Sequence, residues 1–222
     1  MKLTLDQPIQ LPNMLSLKID DNITKLFIVD TFNQRIQLPD SLIHLEIGGC
    51  FNQSIQLPDR LNTLIISGSF NQSIQLPDSL TDLMIDGHFN QIIQLPNGLD
   101  SLFINGSFNQ SIQIPDSLTS LMIDGFFNKS IQLPKCLKTL YINGRFNQPI
   151  QLPDSLNSLM IDGVFNKSIE LPNRLKTLYI NGRFNQSIQF PDSLTTLEIY
   201  GGFNQSVQFP KNLKSFNSII NI

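Results

Sequence analysis

Cysteine, histidine, charge and long apolar runs are all scarce in this chain of 222 residues, and each shortage removes a class of function. Charged residues make up only 15 % and the net charge is -3, so no global field would draw in nucleic acid or anionic lipid. The cations that crowd the C-terminal half (Lys129, Lys135, Lys138, Arg145, Lys167, Arg174, Lys176, Arg183) fall mostly at turn positions and read as a solvated rim. No apolar run approaches the ~18 residues that span a bilayer, and Met1 to Asn13 lacks the apolar core of a signal peptide. The chain therefore reads as cytoplasmic, without membrane or nucleic-acid partners. No residue cluster has metal-ligand spacing, and no glycine-rich phosphate loop follows a strand and opens a helix, so neither metal nor cofactor is expected.

What the chain has in abundance is repetition. Phe-Asn returns every 19 residues at Phe32, Phe51, Phe70, Phe89, Phe108, Phe127, Phe146, Phe165, Phe184 and Phe203. A period this strict marks a solenoid, whose units bury their apolar faces only by stacking on one another. Numbered from its Phe, the unit is Phe-Asn-Gln/Lys-x-Ile-Gln-Leu-Pro-Asp-x-Leu-x-x-Leu-x-Ile-x-Gly-x. One domain spans 1–222, with tandem repeats over 13–211, an N-terminal cap over 1–12 and a C-terminal cap over 212–222. The units 127–145 and 165–183 differ at three places only, which gives a 38-residue super-period and points to growth by duplication.

Positions 11, 14 and 16 carry Leu, Leu and Ile, the alternation of a strand with one buried face, so successive copies pair in parallel. Pro at position 8 interrupts any helical pattern, and the Ile-Gln-Leu before it alternates in twos, so the back of each coil is extended. Gly at position 18 follows Asp or Asn in most copies and suits a turn with positive φ. The phenylalanines are expected to stack in the core, most regularly Phe70, Phe89, Phe108, Phe127 and Phe146. The asparagines beside them, Asn71, Asn90, Asn109, Asn128 and Asn147, are expected to form an interior ladder bonding backbone groups left unpaired by the turn. Because Asn-x-Ser/Thr sequons fall on this column, glycans there would be incompatible with folding, which again favours an intracellular chain. Cys50 and Cys136 stand four to five units apart, about 20 Å at ~4.8 Å per coil, beyond disulfide reach, and are expected to be exposed free thiols.

These residues carry a resemblance. Leu-Pro-x-x-Leu-x-x-Leu-x-Ile resembles the leucine-rich repeat, and Phe-Asn-Gln-Pro at Phe146 to Pro149, with Phe-Asn-Gln-Ser elsewhere, resembles the FNIP or FGxxFN repeats of amoebae and their giant viruses. The resemblance covers about residues 13–217, with departures: the unit is 19 residues where the family's is typically 22, and Gly stands two residues before Phe instead of three. It implies a mainly β, right-handed solenoid of about 11 coils, with a parallel sheet on the concave face and a helix-poor convex side. Some family members pair such repeats with an F-box, so the resemblance also implies a host-factor or ubiquitin-ligase adaptor, in the host cytoplasm if viral.

In such a fold, positions 13, 15 and 17 point away from the core. Position 15 is apolar or aromatic in seven consecutive copies, Ile65, Met84, Phe103, Met122, Tyr141, Met160 and Tyr179, bordered by Ser or Thr at position 13 and Asp or Asn at position 17. An apolar spine in a polar rim is the anatomy of a protein-binding surface, whereas strand propensity alone would account for Tyr, Phe and Ile but not Met. Catalysis finds no support: His44 and His88 lie on different faces, and Glu46 beside His44 has no nucleophile or pocket. Two functions remain: a non-enzymatic module binding a protein or peptide, or a structural protein that self-associates into a dimer or filament. Self-association could use the concave face, the C-terminal end around Ile219, Ile220 and Ile222, or the cysteines.

Overall fold

A computed structural model describes residues 2–5 and 17–218, with side chains from Ile19 onward. The residues 7–12, most of the expected N-terminal cap, and Ile219, Ile220 and Ile222 lie outside the described residues.

The strands are β1 (Lys2–Leu5), β2 (Leu17–Lys18), β3 (Lys25–Ile28), β4 (Ile36–Gln37), β5 (His44–Ile47), β6 (Thr63–Ile66), β7 (Asp82–Ile85), β8 (Ser101–Ile104), β9 (Ser120–Ile123), β10 (Thr139–Ile142), β11 (Ser158–Ile161), β12 (Thr177–Ile180), β13 (Thr196–Ile199) and β14 (Ser215–Ser218). One twelve-stranded parallel sheet runs β1-β3-β5 and then in order to β14, while β2 and β4 form a two-stranded pair on the opposite side. No helix occurs among the described residues. Register is invariant from coil to coil: Leu140 pairs with Leu121 and Leu159, and Tyr141 with Met122 and Met160. A register slip of one residue would turn every Leu outward, so burial of one face fixes the pairing.

The reason each coil closes can be read from its turns. At the Pro corner, the Leu137 N–H donates to the Pro134 carbonyl at 3.2 Å, a tight reversal that Pro pre-sets at its own φ. At the Gly corner, φ is +57 to +67 from Gly49 to Gly201. A Cβ on Gly144 would lie 2.5 Å from the nitrogen and the carbonyl oxygen of Gly125, so the column needs glycine for close approach as well as for conformation. Among the described residues only Asp30, at the head of the column, holds positive φ (58°) without being glycine.

Leu at positions 11 and 14, Ile at 16 and Phe at 1 form the dry interior from Leu26 to Phe203. Successive Phe rings are nearly parallel, 2° to 9° between planes, with centroids 6.0 to 6.3 Å apart. Parallel strands sit ~4.8 Å apart, so successive coils are spaced more widely at the Phe column than at the sheet.

Candidate functional site

The structure places Ile65, Met84, Phe103, Met122, Tyr141, Met160 and Tyr179 in a single file on the outward face of the sheet, one per strand. Their strand neighbours at positions 14 and 16 are 0–3 % exposed, while Met122 and Met160 are each 38 % exposed and the other five half-buried. The file ends in carboxylates on the same line, Glu46 pairing in register with Ile65 and Glu198 with Tyr179.

The rim beside it is ordered. At position 17 the Asp124 and Asp162 carboxylates each accept the following glycine's N–H through Oδ1 at 2.6 Å. Their Oδ2 atoms accept the side-chain amide of Asn143 (3.2 Å) and Asn181 (3.3 Å), one coil on. Alternation of Asp with Asn keeps like charges from sitting directly opposite on neighbouring strands. Burial and then the nearby Asp162 and Asp124 raise the Tyr141 phenol above its ordinary value, so its hydroxyl stays a neutral donor at the edge of the ridge. At the other end, the His44 ring lies 5.5 Å from that of Phe27, and burial, reinforced by Lys25, lowers its pKa despite Glu46.

The phenylalanines of the expected ladder, Phe70, Phe89, Phe108, Phe127 and Phe146, are fully buried. The asparagines are not interior. Asn71, Asn90, Asn109 and Asn147 are half-buried and Asn128 is exposed, and the described residues include no buried polar or charged side chain. Each nevertheless bonds the next coil: Asn71 Oδ1 accepts the Asn90 N–H at 2.9 Å and the Gln91 side-chain amide at 3.1 Å. The reason is geometric, since a side chain whose partner is a backbone N–H at the coil's outer corner must lie along that corner. The glycan argument drawn from an interior Asn loses its basis accordingly.

Cys50 is exposed, but Cys136 is half-buried, with its thiol within reach of two carbonyls of the preceding coil, Asp116 at 2.6 Å and Leu118 at 3.3 Å. It occupies a position where serine elsewhere donates to the preceding coil, as Ser155 Oγ does to the Leu137 carbonyl at 2.6 Å. The recurrence of Ser at position 10 was the available signal for this second ladder, as Gln at position 3 was for the amide that shares the Asn oxygen. Grooves run between coils on the side away from the large sheet, as at Gln37, Asp40 and Gln56 or Asp154, Glu170 and Gln189. Among the described residues no three His, Cys, Asp or Glu side chains converge.

The model of the FNIP repeat matches residues 51–88, 89–125, 127–162 and 165–202. The chain belongs to the FNIP repeat family. The chain is also similar to CroV588, a circular leucine-rich-repeat protein from a giant virus, at 33 % identity and TM-score 0.76 over 90 % of this chain and 37 % of that one. YopM from Yersinia enterocolitica superposes with TM-score 0.69 at 23 % identity, over 91 % of this chain and 52 % of YopM, a likeness of fold alone. The chain thus spans between about a third and a half of the length of these structures. No curated protein sequence matches it. FNIP and leucine-rich repeats are commonly used for protein–protein interaction and are typically non-catalytic scaffolds. No helix among the described residues is long and apolar enough to cross a membrane.

Proposed function

We propose that this FNIP-repeat chain is a non-enzymatic recognition module that binds a protein or peptide along the file from Ile65 to Tyr179. One observation carries the reading: seven consecutive outward strand residues are apolar, with Met122 and Met160 38 % exposed, where nothing inside the coil requires it. Met and Tyr are adaptable anchors in a polar rim, as at protein interfaces. The module would act in the cytoplasm, consistent with its free thiols, and an adaptor role presenting a target to a ubiquitin ligase is the extension that the family resemblance supports. Affinity capture with the native chain and with a Met122→Ser/Tyr141→Ser variant tests it. Proteins retained by the native chain and lost by the variant support a ridge interface; identical recovery on both baits removes it.

A second reading, self-association, is favoured by the C-terminal coil. Phe209 and Phe216 are 48 % and 44 % exposed at positions where earlier coils carry half-buried or buried residues, and their rings pack edge to face at 4.9 Å. Light scattering separates the readings: a ridge-mediated oligomer dissolves in the Met122→Ser/Tyr141→Ser variant, an end-mediated one only in Phe209→Ser/Phe216→Ser, and a monomer is unchanged by either.

A further inference from the structure

We propose that the ridge receives an amphipathic α-helix of about five turns, lying across the strands along the coil stack, with a cationic flank over Asp86, Asp124 and Asp162. The inference rests on the ridge reading above and adds the conformation and charge of the partner.

Length comes first. Seven strands give six intervals of ~4.8 Å, an apolar file about 29 Å long, which a helix covers with about 19 residues at ~1.5 Å each. Glu46 and Glu198 replace apolar residues one coil beyond each end of the file, so the apolar contact stops there and meets negative charge. Spacing comes second. From Met84 to Met160 the ridge alternates Met with an aromatic, so like residues recur every second coil, about 9.6 Å, close to the ~10.5 Å of seven helical residues. A heptad apolar stripe therefore meets equivalent anchors at each repeat.

Backbone chemistry decides between a helix and an extended segment. Position 15 offers thioethers, rings and an Ile, with phenol oxygens only at Tyr141 and Tyr179, so the file has almost nothing to pair with the open N–H and C=O groups of a strand. A helix satisfies those groups internally and needs only apolar contact.

Charge fixes the flanks. Asp86, Asp124 and Asp162 recur every second coil with Oδ1 tied to a glycine N–H, a row of fixed carboxylates beside the ridge. The opposite end of the strands is mixed in sign, with Lys138 and Lys176 exposed beside the C-terminal part of the file and Asp82 and Asp100 exposed beside its N-terminal part. The row of fixed carboxylates is therefore the flank that selects Lys or Arg on the helix, because turning an acidic side toward it brings like charges together.

Two synthetic 20-residue peptides of identical composition provide the test, read by fluorescence anisotropy and circular dichroism with the full chain. One carries its apolar residues at heptad spacing with Lys on one flank and Glu on the other; the second has the same residues in strict alternation. The heptad peptide is expected to bind at least tenfold tighter and to gain helicity on binding. Asp124→Lys/Asp162→Lys should weaken it about tenfold at low salt and less at high salt, and Met122→Glu/Met160→Glu should abolish binding with the melting temperature held as the check on folding. Equal or tighter binding of the alternating peptide, or binding without gain of helicity, overturns the proposal. So does failure of both peptides; if the capture described above still depends on Met122 and Tyr141, the ridge reading survives that failure, and if it does not, both fall.

Discussion

Two columns of the same coil have opposite histories. The Phe-Asn corner is identical in ten copies, buried on its Phe side and bonded coil to coil on its Asn side, whereas position 15 carries Phe, Glu, Ile, Met, Tyr and Asn in different copies. The difference follows from mechanics. A change at the corner disturbs two interfaces, with the coil before and the coil after, while the position-15 side chains lie outside the buried stack and can vary without opening it. Invariance between repeats reports what holds the stack together; restricted variation on the outward face is where recognition can be written.

The sharpest way to break that contrast is to damage the corner. Phe127→Ala removes a ring stacked on both Phe108 and Phe146, and should cost about 3–5 kcal/mol in chemical denaturation. Gly144→Ala follows at roughly 2–3 kcal/mol, because the new Cβ meets the Gly125 backbone at a residue with φ of 59°; a loss below ~1 kcal/mol would mean the column is looser than it looks. Asn71→Ala leaves the Asn90 N–H and the Gln91 amide without their acceptor and should cost about 1–2 kcal/mol, whereas Asn71→Asp keeps the oxygen and should cost less. The smallest effect belongs to His44 on the outward face. Its folded pKa is lowered by burial and Lys25, so the unfolded chain takes up the proton first. Stability should be full above the ordinary value of 6.5 and fall as pH drops through it, a decline that His44→Gln removes from pH titrations of the melting temperature.

The fold was legible because the repeat itself acts as an alignment. Leu, Leu and Ile at spacing 3 and 2, Pro at position 8 and Gly at position 18 each have one physical use in a 19-residue loop, and the parallel sheet, the extended back and the positive φ at Gly49 to Gly201 follow from them. The placement of Asn was not legible. A polar residue kept in every copy must bond something, but the sequence cannot say whether its partner lies inside the coil or on its corner, and the corner bond from the Asn109 N–H to Asn90 Oδ1, at 2.9 Å, satisfies the same rule without burial. Cys136 misled for a related reason: its neighbours in the column include Arg, which argues for exposure, while Ser in the same column donates to the carbonyl 18 residues back, and the thiol reaches the equivalent Leu118 carbonyl. On the outward face the alternation picked out which residues leave the core, whereas the Asp–Asn bonds that stiffen the rim depend on contacts 19 residues apart and needed coordinates.

Thermal unfolding of the Met122→Ser/Tyr141→Ser variant beside Phe127→Ala is the most direct measurement of the division between a column that holds the stack and one that faces a partner. Ridge residues should change stability by no more than ~0.5 kcal/mol each, a shift of about one to four degrees in total, while the Phe variant melts roughly ten degrees lower. A ridge variant that unfolds as early as the Phe variant would show that Met122 and Tyr141 are structural and contradict the account.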